Sequence, residues 1–280
     1  MTSLGTHGPT QGSLDEAVAR LLIGRLGRVP HLHDRAQVLA VSPPETGSAA
    51  DTELAERPEV KLGYIKARAL LVCAIDHLET LRLLVVEARA VPSFAHMTLL
   101  RGALEPALQA RWAMAGTTDD RVARGFALEL ENLDERRKFE ECVDDGSLAR
   151  GRIVQLLEKA EGIGLTSLNK RGERCLTKPA IGYIDLLRIL PSADPSMTKS
   201  SDDSWVYRFL SGYAHAKTWA TTLGAEPVPP TAGRDHVIVC RVEAVDVYLV
   251  KMVERVMSVV EAAVSEVEAL WGLPAEQHSA

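Results

Sequence analysis

The residues of this 280-residue chain with the means to do chemistry are charged and imidazole side chains set on apolar helical stripes. One stripe reads Ile65, Ala69, Val72, Asp76, Glu79, Leu83 and Val86, so two carboxylates interrupt an apolar face. His77 stands beside them on a second apolar stripe with Leu70, Cys73 and Leu84. Burying an unpaired carboxylate costs several kcal/mol, so these groups need water or partners. The next stripe reads Met97, Arg101, Leu104, Glu105, Leu108 and Trp112. Arg101 and Glu105 are four apart and can pair with each other. Pro106 has no N–H, so the carbonyl of Gly102 loses its helical partner and a kink is expected beside the charged pair.

The third group lies in the run Trp205–Trp219. At 3.6 residues per turn, Arg208, Ser211, Gly212, His215 and Trp219 share about one third of a helix circumference. Small Ser211 and Gly212 would leave a shallow notch between a guanidinium and an imidazole. Such a pair can hold a phosphate and move a proton. The competing reading is structural. His215 bonds to a carboxylate such as Asp76 or Glu105, and Asp76, Arg101, Glu105 and His215 form a buried network that fixes helix register.

The elements that must carry these residues are helical. Ala and Leu dominate and aromatic residues make up 5%, which favours helices over sheets. Residues 1–57 read as a flexible arm. It holds a short helix capped by Ser13 with Glu16, then a linker from Val41 to Arg57 containing Pro43, Pro44 and Gly47. Residues 58–272 read as the main domain. Helices are expected over about 58–90, 93–115, 118–144, 148–161, 179–190, 203–222 and 243–271, the third capped by Thr118 or Asp119. A loop is expected over 162–176, and His236–Arg241 is the one strand-like run. Residues 273–280 read as a disordered tail. Long helices on short connections imply an all-α, up-and-down antiparallel bundle.

Composition narrows the function classes. The net charge of −6 provides no overall basic field, so DNA binding is not suggested. Arg121, Arg124, Arg136, Arg137 and Lys138 alternate with glutamates and read as a solvated face. The four cysteines form no CxxC pair and read as buried or half-buried thiols of a reducing cytoplasm. No apolar run is long enough for a membrane span. There is no Gly-rich phosphate loop, no G-x-S-x-G, no zinc spacing, and no E-x-x-H on the bundle helices for a carboxylate-bridged metal pair. No metal site and no cofactor are assigned, and a small-molecule or metal-binding bundle, with a site between the kinked helix and the Arg208–His215 helix, stays open as a further alternative.

Two stretches carry a family resemblance. Leu100-Arg-Gly-Ala-Leu-Glu105 with Arg111-Trp112, and Tyr207-Arg-Phe-Leu-Ser-Gly-Tyr-Ala-His215, resemble an uncharacterised family of helical proteins common in actinobacteria, over about residues 60–270. Arg208 and His215, spaced R-x6-H, are also similar to the signature of the HEPN superfamily of helical bundles. That resemblance implies metal-independent ribonuclease activity, with Arg208 and His215 as the working pair, RNA as substrate and a homodimer as the acting form. The superfamily prefers a polar residue after the arginine, and this chain has Phe209 there.

Overall fold

The computed structural model describes residues 16–90, 92, 94–192, 204–221, 226–227, 240–241 and 246–274. Its frame is three long helices in succession: α4 (Lys61–Arg82), α5 (Ala95–Met114) and α6 (Thr118–Val143). They are preceded by α1 (Glu16–Leu26), α2 (Val29–Val41) and α3 (Ala49–Glu56). After them come α7 (Ser147–Gly162), α8 (Tyr183–Ile189), α9 (Ser204–Ala214), the single turn α10 (Thr218–Thr221) and the closing helix α11 (Asp246–Trp271). The all-α bundle expected from the sequence is what the chain forms.

Interhelical contacts fix the directions. His77 of α4 lies against Gly102 of α5, and Gly63 and Lys66 of α4 meet Gly125 and Glu129 of α6. Both residue numbers rise together in the second set, so α4 and α6 run parallel, with α5 antiparallel between them in chain order. The α4–α6 crossing is close because neither helix has a side chain there. A Cβ built on Gly125 would lie 2.5 Å from the backbone nitrogen of Gly63. α6 begins with a capping box in which the Thr117 hydroxyl and the Asp120 carboxylate satisfy each other's backbone N–H groups. The cap is thus Thr117, and neither Thr118 nor Asp119 as expected.

The described part of the expected arm, residues 16–57, is packed on the bundle, and the linker expected over Val41–Arg57 holds α3. Leu22, Leu26, Val29, Leu32, Leu39 and Ala50 are buried in the common core. Arg25, Arg28 and Arg35 pair in order with Glu254, Glu261 and Glu268, which lays α1 and α2 parallel to α11. Pro30 sits in the first turn of α2, where its missing N–H breaks no helical bond. The N-cap of α3 is Ser48, whose hydroxyl accepts from the Asp51 N–H, so a Pro/Gly/Ser-rich stretch holds a helix start.

Smaller departures follow from local geometry. α4 continues into a π-helical turn, Leu83–Glu87, and the chain turns at Arg89 with φ of 49°. The expected loop at 162–176 contains a hairpin, β1 (Thr166–Leu168) paired antiparallel with β2 (Arg174–Leu176). Of the expected strand His236–Arg241, only β4 (Cys240–Arg241) is described, paired with β3 (Glu226–Pro227). The Ser13 cap and the tail beyond residue 274 lie outside the described residues. Cys73 and Cys142 are exposed rather than buried. No helix among the described residues is long and apolar enough to cross a membrane.

Candidate functional site

The stripe on α5 and the segment after α9 come together. Arg101 Nε donates to Glu105 Oε1 at 2.6 Å, and an Arg101 terminal nitrogen lies 3.0 Å from His215 Nε2. A guanidinium only donates, so Nε2 is the acceptor and the imidazole carries its proton on Nδ1. Both members of the ion pair keep about a fifth of their side-chain surface exposed (19% and 20%), and His215 is exposed. The cluster is therefore half-open. Burial works against the Arg101 charge, but Glu105 outweighs it and the guanidinium is held more firmly protonated than usual.

Two tyrosines complete this corner, and sequence reasoning missed both. The Arg101 guanidinium carbon lies 5.7 Å from the Tyr207 ring centroid, and the Tyr183 ring of α8 lies 5.5 Å from that of Tyr207. Burial, with the Glu105 and Glu131 carboxylates adding to it, pushes the Tyr183 hydroxyl up to about 12. The available signal for Tyr207 was its spacing: Tyr207, Ser211 and His215 follow at i, i+4 and i+8.

The expected continuous helix over 203–222 is broken, and the break positions His215. α9 ends at Ala214, and Ala216 takes the left-handed conformation with φ of 49°. Lys217 N–H donates to the Gly212 carbonyl at 2.8 Å and Ala216 N–H to that of Tyr213 at 3.0 Å, the paired bonds of a Schellman end. α10 then folds back. A Cβ on Gly212 would stand 2.7 Å from Ala220 Cβ and 2.8 Å from Trp219 Cζ2. The expected notch at Ser211 and Gly212 is thus closed at Gly212 by α10. Ser211 is half-buried, and its carbonyl receives the His215 N–H. Arg208 is exposed and makes no contact with His215 among the described interactions.

The other candidates disperse. Asp76 is exposed, with no hydrogen bond or ion pair among the described residues. Glu79 is held by Arg82 through two bonds of 2.7 and 2.8 Å. The His77 imidazole bonds at Nδ1 to the Cys73 carbonyl at 2.9 Å and fills the space left by Gly102. That gives Gly102 a packing role besides its place opposite Pro106. Trp112 is buried and covered by Arg124, whose guanidinium carbon is 5.4 Å from the ring centroid.

The sealed polar networks lie elsewhere. Arg121, read from sequence as part of a solvated face, is buried. It grips Glu53 through Nε and Nη2, and its Nη1 donates to the carbonyls of Met114 and Gly116 at 3.0 and 2.7 Å. Tyr64 donates to the same carboxylate. Arg35 and Glu268 form a second buried pair, joined by Ser265. His96 is fully buried, bonded at Nδ1 to the Pro92 carbonyl, with Nε2 unpartnered among the described residues, and burial pushes its imidazole down to about 4. No group of three His, Cys, Asp or Glu side chains among the described residues is arranged to hold a metal ion. Comparison with protein-family models, with curated proteins and with solved structures finds no match.

Proposed function

We propose that this chain is a non-catalytic binding or scaffold module, with the Arg101–Glu105–His215 corner as a contact point held rigid by the bundle. The observation that carries this reading is the commitment of the groups to one another. Arg101 is bound to Glu105 and to His215, so the imidazole's acceptor nitrogen is occupied. The donors that remain, led by His215 Nδ1–H, suit an acceptor-bearing partner group more than proton abstraction. The HEPN-like ribonuclease is the second reading. It is favoured by Arg208 and His215 both lying exposed, seven residues apart, on α9 and just past its end.

One variant separates the two readings. In the binding reading, His215→Ala removes an exposed hydrogen bond that ties the end of α9 to α5. It lowers stability by about 1 kcal/mol, a fall in Tm of roughly 2–4 °C, with no RNA cleavage to lose. RNA cleavage by the wild type that survives EDTA and disappears in His215→Ala, at unchanged Tm, would overturn it in favour of the nuclease.

A further inference from the structure

The outer face of α4 bears a stripe that matches itself under a two-fold rotation. Its exposed residues are Lys61, Ile65, Ala69, Val72 and Asp76. About a point midway between residues 68 and 69, Lys61 is the counterpart of Asp76, and Ile65 of Val72. At 100° per residue these five positions lie within about 50° of one line along the helix. Ile65 is 51% exposed and Val72 38%, large values for branched aliphatic side chains in the middle of a long helix. Ala69 beside the centre lets a second backbone approach. Arg68 does not obstruct it, because its guanidinium turns back to the Ala40 carbonyl and the Trp271 ring, 5.6 Å from the ring centroid. Ala40, Ile65, Arg68, Ala69 and Val72 line a shallow groove of about 330 Å³. Lys61 and Asp76 make no ion pair or hydrogen bond among the described residues.

We infer that this face is the contact between two copies of the chain, packed α4 against α4 in antiparallel fashion. In that pairing Ile65 of each copy meets Val72 of the other, and Lys61 of each meets Asp76 of the other. A two-fold interface needs a patch complementary to itself, and opposite charges at the two ends of an apolar stripe provide it. The apolar centre supplies the attraction. The terminal ion pairs, at a solvated rim, contribute little and set the direction.

Charge exchange tests the pairing. Sedimentation velocity across the micromolar range should show a monomer–dimer equilibrium. Asp76→Lys or Lys61→Asp alone places like charges together at both ends and should weaken the dimer about tenfold. The double variant K61D/D76K should restore it, a recovery that general damage to the surface does not produce. Ile65→Glu should be monomeric with an unchanged far-UV circular dichroism spectrum. Ala69→Cys should cross-link under mild oxidation, since the two copies of residue 69 meet beside the axis. Native Cys73 should not, because its two copies stand about 13 Å apart along the helices, beyond disulfide reach. A wild type that stays monomeric throughout, with this face left to another partner, overturns the inference. So does a dimer indifferent to Ile65→Glu, or one that the double variant fails to restore.

Discussion

Replacing Gly125 by alanine sets two forces of opposite sign against each other. Gly125 lies inside α6, and on helix propensity alone the change stabilises by about 1 kcal/mol. The new Cβ, however, would stand 2.5 Å from Gly63 N, 2.8 Å from Gly63 Cα and 3.3 Å from the carbonyl carbon of Leu62. Non-bonded carbons settle at roughly 3.5–4.0 Å, so the shortfall is about 1 Å. All three obstacles are backbone, so no side chain can swing away and α4 and α6 must separate. Overpacking of this kind costs about 3 kcal/mol, the upper end of the usual range. The net loss is about 2 kcal/mol, or roughly 4–8 °C in Tm. Gly151→Ala is the matched control. It lies exposed within α7 with nothing within 4 Å of a built Cβ. Propensity acts alone there, and a gain of up to about 1 kcal/mol is expected. Urea and thermal unfolding followed by circular dichroism measure both variants. A Gly125→Ala protein as stable as the wild type would refute the close crossing of α4 and α6.

Two further outcomes follow from buried groups. The unfolded chain protonates His96 near 6.5, whereas the folded chain refuses the proton until about 4. The unfolded state binds more protons between those values, so stability falls as pH drops, by about 2 kcal/mol from pH 7 to pH 5. The urea midpoint of His96→Phe should lose that part of the pH slope, and an unchanged slope would argue against a neutral, buried imidazole. Glu53→Gln leaves the Arg121 charge buried without its partner and should cost about 3 kcal/mol. Adding Arg121→Met should recover part of that loss, and chemical denaturation of both proteins would contradict the paired network if the double variant were the less stable.

Regular helices with proline or glycine at their ends were legible from sequence. α4, α5, α6, α7 and α11 lie close to the expected spans because their apolar periodicity is long and their boundaries are chemically marked. α3 was hidden, since Pro43, Pro44 and Gly47 signal a linker while Ser48 quietly caps a helix. The break after α9 was invisible for the opposite reason. An alanine occupies the left-handed position that ordinarily announces itself by glycine. In the candidate site, the Arg101–Glu105 pair follows from i,i+4 spacing, but its tie to His215 spans 114 residues and depends on how α9 docks. The same limit concealed Arg121. It stands among alternating charges along α6, and only the tertiary position of Glu53, 68 residues earlier, makes it a core residue.

The pairing of α1 and α2 with α11 has a consequence for biogenesis. Arg25, Arg35 and Ser42 find their partners 229 to 233 residues later in the chain. At about 5–20 residues per second, a ribosome takes roughly ten to fifty seconds to deliver that stretch. Throughout that interval the side of α1 and α2 that meets α11 has no closing helix to cover it. The bundle can close only once α11 has been made. Contacts of such long range also slow refolding of the finished chain. A premature stop before residue 246 would remove the lid of the core while leaving the Arg101–Glu105 pair and His215 in the translated product.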